Sequence, residues 1–282
     1  MRGASVVVTG AAQGIGLALA RRFHRDGARV VLADLRGDAL AREAAALDGA
    51  RPGSAFAVTA DLSTEAGNAA LVDAARERLG FVDLFFANAG VALGTDHTTP
   101  EADWDAAFAI NVHAHRWAAA RLLPDWLAAG RGYFASTASA AGLMSMIGSA
   151  PYAVTKHAAV AFAEWLSITY HARGIRVSCL CPQGVNTAML RGDAAPATGA
   201  SRAPGSATAS GAISRGGADI VRASGKVLEP DDVADCVAEA IAAERFLILP
   251  HPEMAEYMKV KATEPERWLA GMRGLQARIL GY

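Results

Sequence analysis

The chain has 282 residues, of which 52% are hydrophobic and 20% are charged, and its formal net charge is −1. This apolar fraction is ample for a folded core and excludes a globally disordered chain. Near-zero net charge, with the basic residues spread along the chain, argues against a nucleic-acid or membrane-surface binder. We therefore expect a small-molecule substrate as partner, with no nucleic acid and no membrane.

The chain alternates short apolar runs with longer helical patterns. In chain order the sequence predicts a strand at 5–8, a helix at 17–24, a strand at 29–33, a helix at 38–47, a strand at 55–59, a helix at 64–79, a strand at 82–87, a helix at 101–129, a strand at 132–136, a helix at 152–172, a strand at 175–181, a helix at 231–243 and a strand at 246–249. Thr64 is a candidate N-cap, Pro124 marks an expected kink or break, and Pro151 suits the first turn of the helix that follows it.

Strands that are apolar on both faces and alternate with helices predict a parallel sheet covered on both sides. We expect one α/β domain over 1–282, a Rossmann-type doubly wound sheet of about seven strands that binds its ligands at the carboxyl ends of the strands. Residues 194–218 are nearly all Ala, Gly, Ser, Thr and Pro. We therefore expect a mobile substrate-lid loop over 190–226 and a C-terminal helical tail over 250–282.

The three cysteines do not form a disulfide framework, which favours a reducing compartment. Cys179 and Cys181 lie two apart on a predicted strand, so they face the same side and are interpreted as buried packing thiols. No targeting segment or membrane span is evident, and we expect a cytoplasmic protein. The seven histidines show no metal-ligand spacing, so no metal site is expected.

Three glycines, Gly10, Gly14 and Gly16, lie between the first predicted strand and the first predicted helix. They let the backbone turn tightly and approach a pyrophosphate, which the free N–H groups of the helix N-terminus then bind. An ordinary tight turn needs fewer glycines, so we favour a dinucleotide site. Asp34, which ends the second strand, suits the ribose hydroxyls and repels a 2′-phosphate, which favours NAD; Arg36 is placed to neutralise part of its charge.

Tyr152 and Lys156 lie four residues apart on one face of a predicted helix. A free tyrosine has a pKa of about 10, too high for an acid–base group at neutral pH, and a nearby ammonium lowers it. Such pairs also occur by chance on ordinary helices. Ser139, just after the fifth strand, is either a hydrogen-bond donor to a substrate oxygen or a solvated loop serine.

The order of these motifs along the chain resembles that of the short-chain dehydrogenase/reductase family, in its ordinary rather than its extended form. The resemblance covers roughly residues 5–243. It implies that Asn111, Ser139, Tyr152 and Lys156 are catalytic. It also implies that NAD is bound by Gly10, Gln13, Gly14, Ile15, Gly16, Asp34, Leu35, Asp61, Leu62, Asn88, Ala89, Gly90, Tyr152, Lys156, Pro182, Val185 and Thr187.

The family pattern implies a role for each catalytic residue. Tyr152 exchanges the proton, Lys156 binds the nicotinamide ribose and tunes Tyr152, and Ser139 orients the substrate oxygen. Asn111 holds a water that links Lys156 to solvent. On the residues alone, Asn111 is equally an ordinary mid-helix polar residue.

Further roles are implied for the cofactor residues. Asp61, with Leu62 beside it, contacts the adenine, while Asn88 stabilises the fourth strand and lines the cofactor cleft. Val185 and Thr187 hold the carboxamide. On the residues alone, Asp61 is equally a helix cap.

The sequence departs from the family pattern in two places. Pro182-Gln183-Gly184 stands where the family has Pro-Gly, so Gln183 is expected either to alter the backbone geometry beside the nicotinamide or to reach toward the substrate. The last strand is followed by Pro250-His251-Pro252 and the tail instead of Asp-Gly-Gly, which puts the usual tetramer contacts in doubt. We expect a homo-oligomer, dimer or tetramer, and a dimer through helices 101–129 and 152–172 is plausible.

The sequence thus predicts an NAD-dependent oxidoreductase that interconverts a secondary alcohol and a ketone by hydride transfer, with Tyr152 as acid/base. An epimerase or dehydratase that uses the nicotinamide transiently and a non-catalytic dinucleotide-binding regulator are the alternatives. An apolar pocket wall would favour an apolar or aromatic substrate, unless its residues merely pack the core. The residues expected in this wall are Leu143, Met144, Met146, Ile147, Met189 and Leu190.

Overall fold

Seven parallel strands form one sheet in the computed structural model, which describes residues 1–193, 218–219, 221–222 and 225–280. The strands are β1 (Ser5–Thr9), β2 (Arg29–Asp34), β3 (Ala55–Thr59), β4 (Leu84–Ala87), β5 (Gly132–Thr137), β6 (Ile175–Leu180) and β7 (Leu247–Ile248). Their order in the sheet is β3-β2-β1-β4-β5-β6-β7, and each neighbouring pair is parallel. The predicted doubly wound sheet is confirmed.

Helices connect these strands and cover the sheet. Within the described residues they are α1 (Gly14–Arg25), α2 (Gly37–Ala50), α3 (Glu65–Leu79), α4 (Glu101–Phe108), α5 (Ala114–Ala129), α6 (Ala141–Met144), α7 (Ala150–Tyr170), α8 (Ala188–Arg191), α9 (Pro230–Ala242), α10 (Met254–Thr263) and α11 (Pro265–Leu280). A π-helical turn, Ala109–His113, joins α4 to α5. None of the described helices is long and apolar enough to cross a membrane.

Alternate residues of the central strands enter two cores, one on each face of the sheet. Val7 and Phe85 pack on one face with α3, α5 and α7, whereas Val8 and Phe86 pack on the other with α1, α2 and α9. Because side chains alternate between the faces of a strand, a sheet covered on both sides needs apolar residues at every position. This is the physical reason for the continuous apolar runs in the sequence.

The strand order fixes where a ligand can bind. β1 lies between β2 and β4, so the chain leaves β1 towards one edge of the sheet and later returns to its other side. The two crossovers run in opposite directions, and a crevice opens outside the carboxyl ends of β1 and β4.

Most predicted elements differ from the observed ones only at their ends. The predicted strand at 82–87 begins at Leu84, and the predicted strand at 246–249 is reduced to two residues. The predicted helix at 152–172 begins two residues earlier, because the Ser149 hydroxyl accepts a hydrogen bond from the Tyr152 N–H and Pro151 occupies the first turn. α6 and α8 were not predicted, since four residues are too few to show helical periodicity.

The predicted helix at 101–129 is broken at a different place from the one expected. α5 continues through Pro124, and the interruption is the π turn Ala109–His113. A proline removes the hydrogen bond to the carbonyl four residues before it, here that of Ala120. Both residues are exposed, so water can satisfy that carbonyl and the helix tolerates the proline.

The predicted lid at 190–226 lies largely outside the described residues and stays a prediction, as does the extent of the domain.

α10 and α11 fall within the predicted tail at 250–282. α10 packs on α6, where Met254 is buried against Met144 and the Lys261 ammonium donates to the Leu143 carbonyl. The tail therefore braces the segment that follows β5.

Candidate active site

Two glycines at the turn from β1 into α1 resist replacement by a residue with a side chain. Gly10 has a φ of +66°, and a Cβ added to Gly16 would lie 2.2 Å from the Gly10 carbonyl oxygen, a contact no real Cβ makes. α1 begins at Gly14 with no side chain capping its N-terminus, and its first residues line a cleft. Free N–H groups at a helix N-terminus form a site for an anion such as a pyrophosphate.

A single amide side chain joins three strand ends beside this loop. Asn88 Nδ2 donates to the Thr9 carbonyl at 2.9 Å, and Asn88 Oδ1 accepts from Thr137 Oγ1 at 2.9 Å. The Asn88 N–H donates to Thr9 Oγ1, also at 2.9 Å. The ends of β1, β4 and β5 are thereby held together where the cleft opens.

Asp34 lies at one end of the cleft, and its carboxylate is hydrogen-bonded to the protein. It accepts the N–H groups of Ala12 at 3.1 Å and Arg36 at 3.0 Å, and it pairs with the Arg36 guanidinium, with 3.1 Å between Nε and Oδ1. Leu35 and Arg36 line the cleft beside it. A ribose bound here has to share Asp34 with Arg36.

Asp61 and Leu62 form the adjoining wall of the cleft. Asp61 Oδ1 accepts from the Ser63 N–H at 3.0 Å and from Ser63 Oγ at 2.6 Å, which closes the turn before α3. The N-cap of α3 is Thr64, as predicted, because its hydroxyl accepts the Gly67 N–H. Asp61 is therefore not the helix cap.

Lys156 is a buried cation in the middle of the cleft. Its side chain is packed on all sides, and Nζ donates to the Thr137 carbonyl at 2.9 Å and lies 5.6 Å from the centroid of the Tyr152 ring. Burial lowers the pKa of Lys156 to about 8, against the opposing influence of the Cys179 and Cys181 thiols. The cation therefore lies within reach of the Tyr152 ring in a site that is shielded from water.

The hydroxyls of Tyr152 and Ser139 meet in the same part of the cleft. Burial raises the pKa of the Tyr152 phenol, and a hydrogen bond with the Ser139 hydroxyl partly offsets this effect. Ser139 Oγ accepts the Ala141 N–H at 3.1 Å and donates to the Pro182 carbonyl at 3.5 Å. Two hydroxyls close together can both bind one substrate oxygen.

Asn111 does not line the cleft but lies directly behind it. It is fully buried in the π turn, where Oδ1 accepts the Val91 N–H and Nδ2 donates to the Val91 carbonyl, each at 2.9 Å, and to Thr155 Oγ1 at 3.0 Å. A Cβ on Gly90 would lie 3.2 Å from both Asn111 Oδ1 and Lys156 Nζ. Asn111 is thus not an ordinary mid-helix residue, because it connects the chain after β4 to α7 next to Lys156.

Pro182, Val185 and Thr187, which follow β6, form the wall beside the glycine loop. The Thr187 methyl lies 3.2 Å from where a Cβ on Gly14 would be. Val185 forms a parallel bridge with Leu228, so a second chain segment supports this wall.

One cleft of about 260 Å³ brings the predicted residues together. Every residue assigned to the cofactor lines it, and so does Ser139. The sequence analysis missed Val91, Ile110, Thr137 and Val221, which also line it. Thr137 contacts Lys156 through its backbone carbonyl, and a backbone contact leaves no signal in a sequence.

The predicted apolar wall divides between the cleft and the core. Met189 and Leu190 line the cleft, and Met146 and Met189 pack against the cluster that contains Tyr152. Leu143 and Met144 instead pack against α10. For these two residues core packing is the correct interpretation.

The remaining thiols and histidines form no metal centre. The Cys179 and Cys181 sulfurs are 3.8 Å apart on one side of β6 and both are buried, as predicted. Burial lowers the pKa of His115 to about 3, so it is a neutral core residue. In the described ranges no three His, Cys, Asp or Glu side chains cluster as metal ligands.

Comparison with known proteins identifies the family to which the chain belongs. The family model for short chain dehydrogenase matches residues 4–198. The chain belongs to the short-chain dehydrogenase/reductase family. The resemblance inferred from the sequence is thereby confirmed, and the protein is an oxidoreductase of a family that binds nicotinamide dinucleotides.

Individual short-chain dehydrogenases resemble the chain over most of its length. It is 38% identical over 248 residues to the 1-deoxy-11-beta-hydroxypentalenate dehydrogenase of Streptomyces exfoliatus, covering 86% of this chain and 82% of that one. It is 34% identical to the meso-2,3-butanediol dehydrogenase of Serratia marcescens, covering 66% and 73%. A short-chain dehydrogenase/reductase of Burkholderia phymatum, solved in complex with NAD, is 32% identical with a TM-score of 0.79, covering 94% and 95%.

The Gly16→Ala substitution tests the glycine cradle of this short-chain dehydrogenase. The added methyl collides with the Gly10 carbonyl, so the loop has to open and dinucleotide affinity should fall at least about tenfold. Titration of NADH fluorescence measures this affinity. Gly49→Ala is the matched control, since a Cβ there meets nothing within 4 Å. Equal NADH affinity in the two variants would contradict the assignment.

Proposed function

We propose that this protein is an NAD-dependent dehydrogenase that interconverts a secondary alcohol and a ketone, with Tyr152 as acid/base. The observation that carries the proposal is the meeting of Tyr152, Ser139 and the buried Lys156 in the cleft that the glycine loop also lines. The related hydroxypentalenate and butanediol dehydrogenases support it, because both names describe hydroxyl-bearing substrates.

The residues of the cleft fit a nicotinamide dinucleotide. The packed glycines and the uncapped start of α1 suit a pyrophosphate, Asp34 suits a ribose, and Val185 and Thr187 suit the carboxamide. When bound, the oxidised nicotinamide supplies the acceptor for the hydrogen removed from the carbinol carbon.

Tyr152 moves the proton in this proposal. In alcohol oxidation its phenolate oxygen takes the hydroxyl proton, while in ketone reduction its phenol donates a proton to the carbonyl oxygen. Ser139 donates to the same substrate oxygen and holds it at Tyr152. The hydrogen bond between the two side chains supports this arrangement.

Lys156 stabilises the phenolate form of Tyr152 in this proposal. Its ammonium lies close to the Tyr152 ring and is fixed there by the Thr137 carbonyl. A nearby cation favours the phenolate and so opposes the effect of burial on Tyr152. A non-catalytic regulator would need none of these contacts, which argues against that alternative.

The Tyr152→Phe substitution removes only the hydroxyl that carries the proton. We expect turnover to fall at least about a hundredfold, the lower range for loss of a general acid–base group. NADH affinity should change little, because the ring remains in place. Tyr257→Phe, an exposed tyrosine on α10, is the control and should keep full turnover. Near-normal turnover of Tyr152→Phe would remove Tyr152 from the mechanism.

The direction of catalysis should depend on pH. Because burial raises the pKa of Tyr152, the phenol is protonated near neutral pH, and oxidation requires its deprotonated form. We expect kcat/KM for alcohol oxidation to rise with pH, by up to about tenfold per pH unit, and reduction to be favoured at lower pH. Initial rates in both directions across a buffer series measure this. An oxidation rate independent of pH would contradict a titrating base.

We further propose a preference for NAD over NADP, set by Asp34. The Asp34→Ala substitution removes a hydrogen-bond acceptor for the ribose, removes repulsion of a 2′-phosphate and frees Arg36. The ratio of kcat/KM for NAD to that for NADP should therefore fall at least about tenfold. The exposed Asp38→Ala is the matched control. A native preference for NADP, or an unchanged ratio in Asp34→Ala, would contradict this proposal.

The substrate end of the cleft favours a bulky apolar or aromatic alcohol. This end of the cleft is lined by Ser139, Gln183 and the apolar residues Met189, Leu190 and Val221. The two carboxylates that line the cleft, those of Asp34 and Asp61, belong to the adenosine end. Described residues near Tyr152 therefore include no acidic side chain that would repel a substrate carboxylate.

A panel of benzhydrol, cyclohexanol and xylitol tests this substrate class. We expect the highest kcat/KM for benzhydrol and the lowest for xylitol, because the flexible methionine wall gains contact with apolar groups. NADH formation at saturating NAD measures the rates. A strict preference for xylitol would contradict the apolar substrate end while leaving the Tyr152 mechanism intact.

We also propose a homo-oligomer that uses the outer face of α7. Val154, Trp165 and Ile168 on this helix are 46%, 52% and 84% exposed. Trp165 packs edge-on against Tyr170, which extends the apolar surface along the helix. Burying this surface against a second copy would remove it from water.

A further inference from the structure

A histidine with no role in the proposed chemistry is buried behind the wall that follows β6. His251 lies in the Pro250-His251-Pro252 turn after β7 and is only 2% exposed. It is one of the few buried ionisable side chains that the proposed mechanism leaves unused. Both of its ring nitrogens are hydrogen-bonded.

The two bonds of His251 define the state of the ring. The Gln183 N–H donates to His251 Nδ1 at 3.2 Å, and His251 Nε2 lies 3.0 Å from the Lys226 carbonyl. A backbone N–H can only donate and a carbonyl can only accept. Nδ1 must therefore be bare and Nε2 must carry the hydrogen, so the ring is neutral with one fixed tautomer.

The two backbone partners belong to adjacent segments of the nicotinamide-side wall. Gln183 lines the cleft between Pro182 and Gly184. Lys226 begins the segment that pairs with this wall, since the Leu228 N–H donates to the Gly184 carbonyl at 3.0 Å. His251 thus lies beneath the junction of two segments and binds each of them through one nitrogen.

The turn that contains Gln183 is also held from the side of Ser139. The Pro182 carbonyl accepts the Ala140 N–H at 2.8 Å and the Ser139 hydroxyl at 3.5 Å. The turn is therefore fixed between the serine that orients the substrate and the His251 ring. A shift of its backbone would move the nicotinamide wall and the Ser139 hydroxyl together.

We propose that His251 is a positioning residue for the nicotinamide end of the cleft and that it acts through the Gln183 N–H. This role rests on the proposed dinucleotide-dependent function. The bond to Gln183 matters more for turnover than the bond to Lys226, because Gln183 lines the cleft and Lys226 does not. Small displacements of a reacting pair cost rate more than they cost binding.

Two substitutions separate the two bonds of His251. In His251→Asn the side-chain oxygen replaces Nδ1 and can still accept the Gln183 N–H, while the bond to Lys226 is lost. In His251→Gln the side-chain amide nitrogen replaces Nε2 and can still donate to the Lys226 carbonyl, while the bond to Gln183 is lost. Each variant removes one buried hydrogen bond, so both should lose a similar amount of Tm.

The two variants should differ in catalysis and in the nicotinamide spectrum. We expect kcat, measured with the panel alcohol that the wild type oxidises fastest, to fall about tenfold in His251→Gln and less than about threefold in His251→Asn. The emission shift of bound NADH, which reports the surroundings of the nicotinamide, should be kept in His251→Asn and reduced in His251→Gln. The Kd for NADH should change little in either, because the pyrophosphate and adenosine contacts remain. The same substitutions at the exposed His171 are the controls and should change neither kcat nor emission.

Equal kcat in the two variants, or kcat losses that only follow the losses of Tm, would overturn the positioning role. A wild-type protein that neither binds NADH nor oxidises any panel alcohol would overturn the proposed function itself. This outcome is distinct from failure of the positioning role, which is judged by comparing the variants with an active wild type. If His251→Gln does not fold, nitrogen NMR of the wild type gives the answer. The His251 ring must show the Nε2–H tautomer, and the Gln183 amide must shift when NADH is added. An Nδ1–H tautomer or an unshifted amide would overturn the proposal.

Discussion

The site depends on a chain of polar contacts that begins at Asn88, at the point where the sheet changes direction. The Asn88 amide holds the end of β1 against the end of β5, because it accepts a hydrogen bond from the Thr137 hydroxyl. The backbone carbonyl of Thr137 in turn accepts a hydrogen bond from Lys156. The position of the buried ammonium therefore follows from the register of three strands. Without this connection the glycine loop and the tyrosine helix would be two separate surfaces rather than two walls of one cleft.

Burial acts in opposite directions on the pKa values of Lys156 and Tyr152. The environment that removes water from Lys156 lowers its pKa, and it raises that of Tyr152. Each shift disfavours the charged form of its group. In the proposed mechanism the Lys156 ammonium would stabilise a phenolate at Tyr152 and so offset part of this cost.

The sheet was predictable because strands covered on both faces must be apolar at every position, and runs such as Val6 to Val8 follow that rule. The glycine loop was predictable because Gly16 leaves no room for a Cβ. The break before α5 was not, since the π turn there holds Asn111 against Val91 and Thr155, which lie 20 and 44 residues away in the chain. Leu143 and Met144 were also ambiguous, because nothing in the local pattern shows that α10 covers them. Contacts made through backbone carbonyls, such as that of Thr137 with Lys156, could not be predicted, because every residue has the same carbonyl group.

The parallel bridge between Val185 and Leu228 fixes one wall of the cleft from two segments of the chain. The chain leaves the wall of the cleft after Val185 and returns to the same place at Leu228, where the Asn186 N–H donates to the Leu228 carbonyl. Both ends of the excursion are fixed to one wall, and the entropy of closing a longer loop grows only slowly with its length. The chain between residues 193 and 218 can thus change in length without moving Val185 or Leu228. One wall of the cleft stays constant while the sequence between its two anchored ends varies.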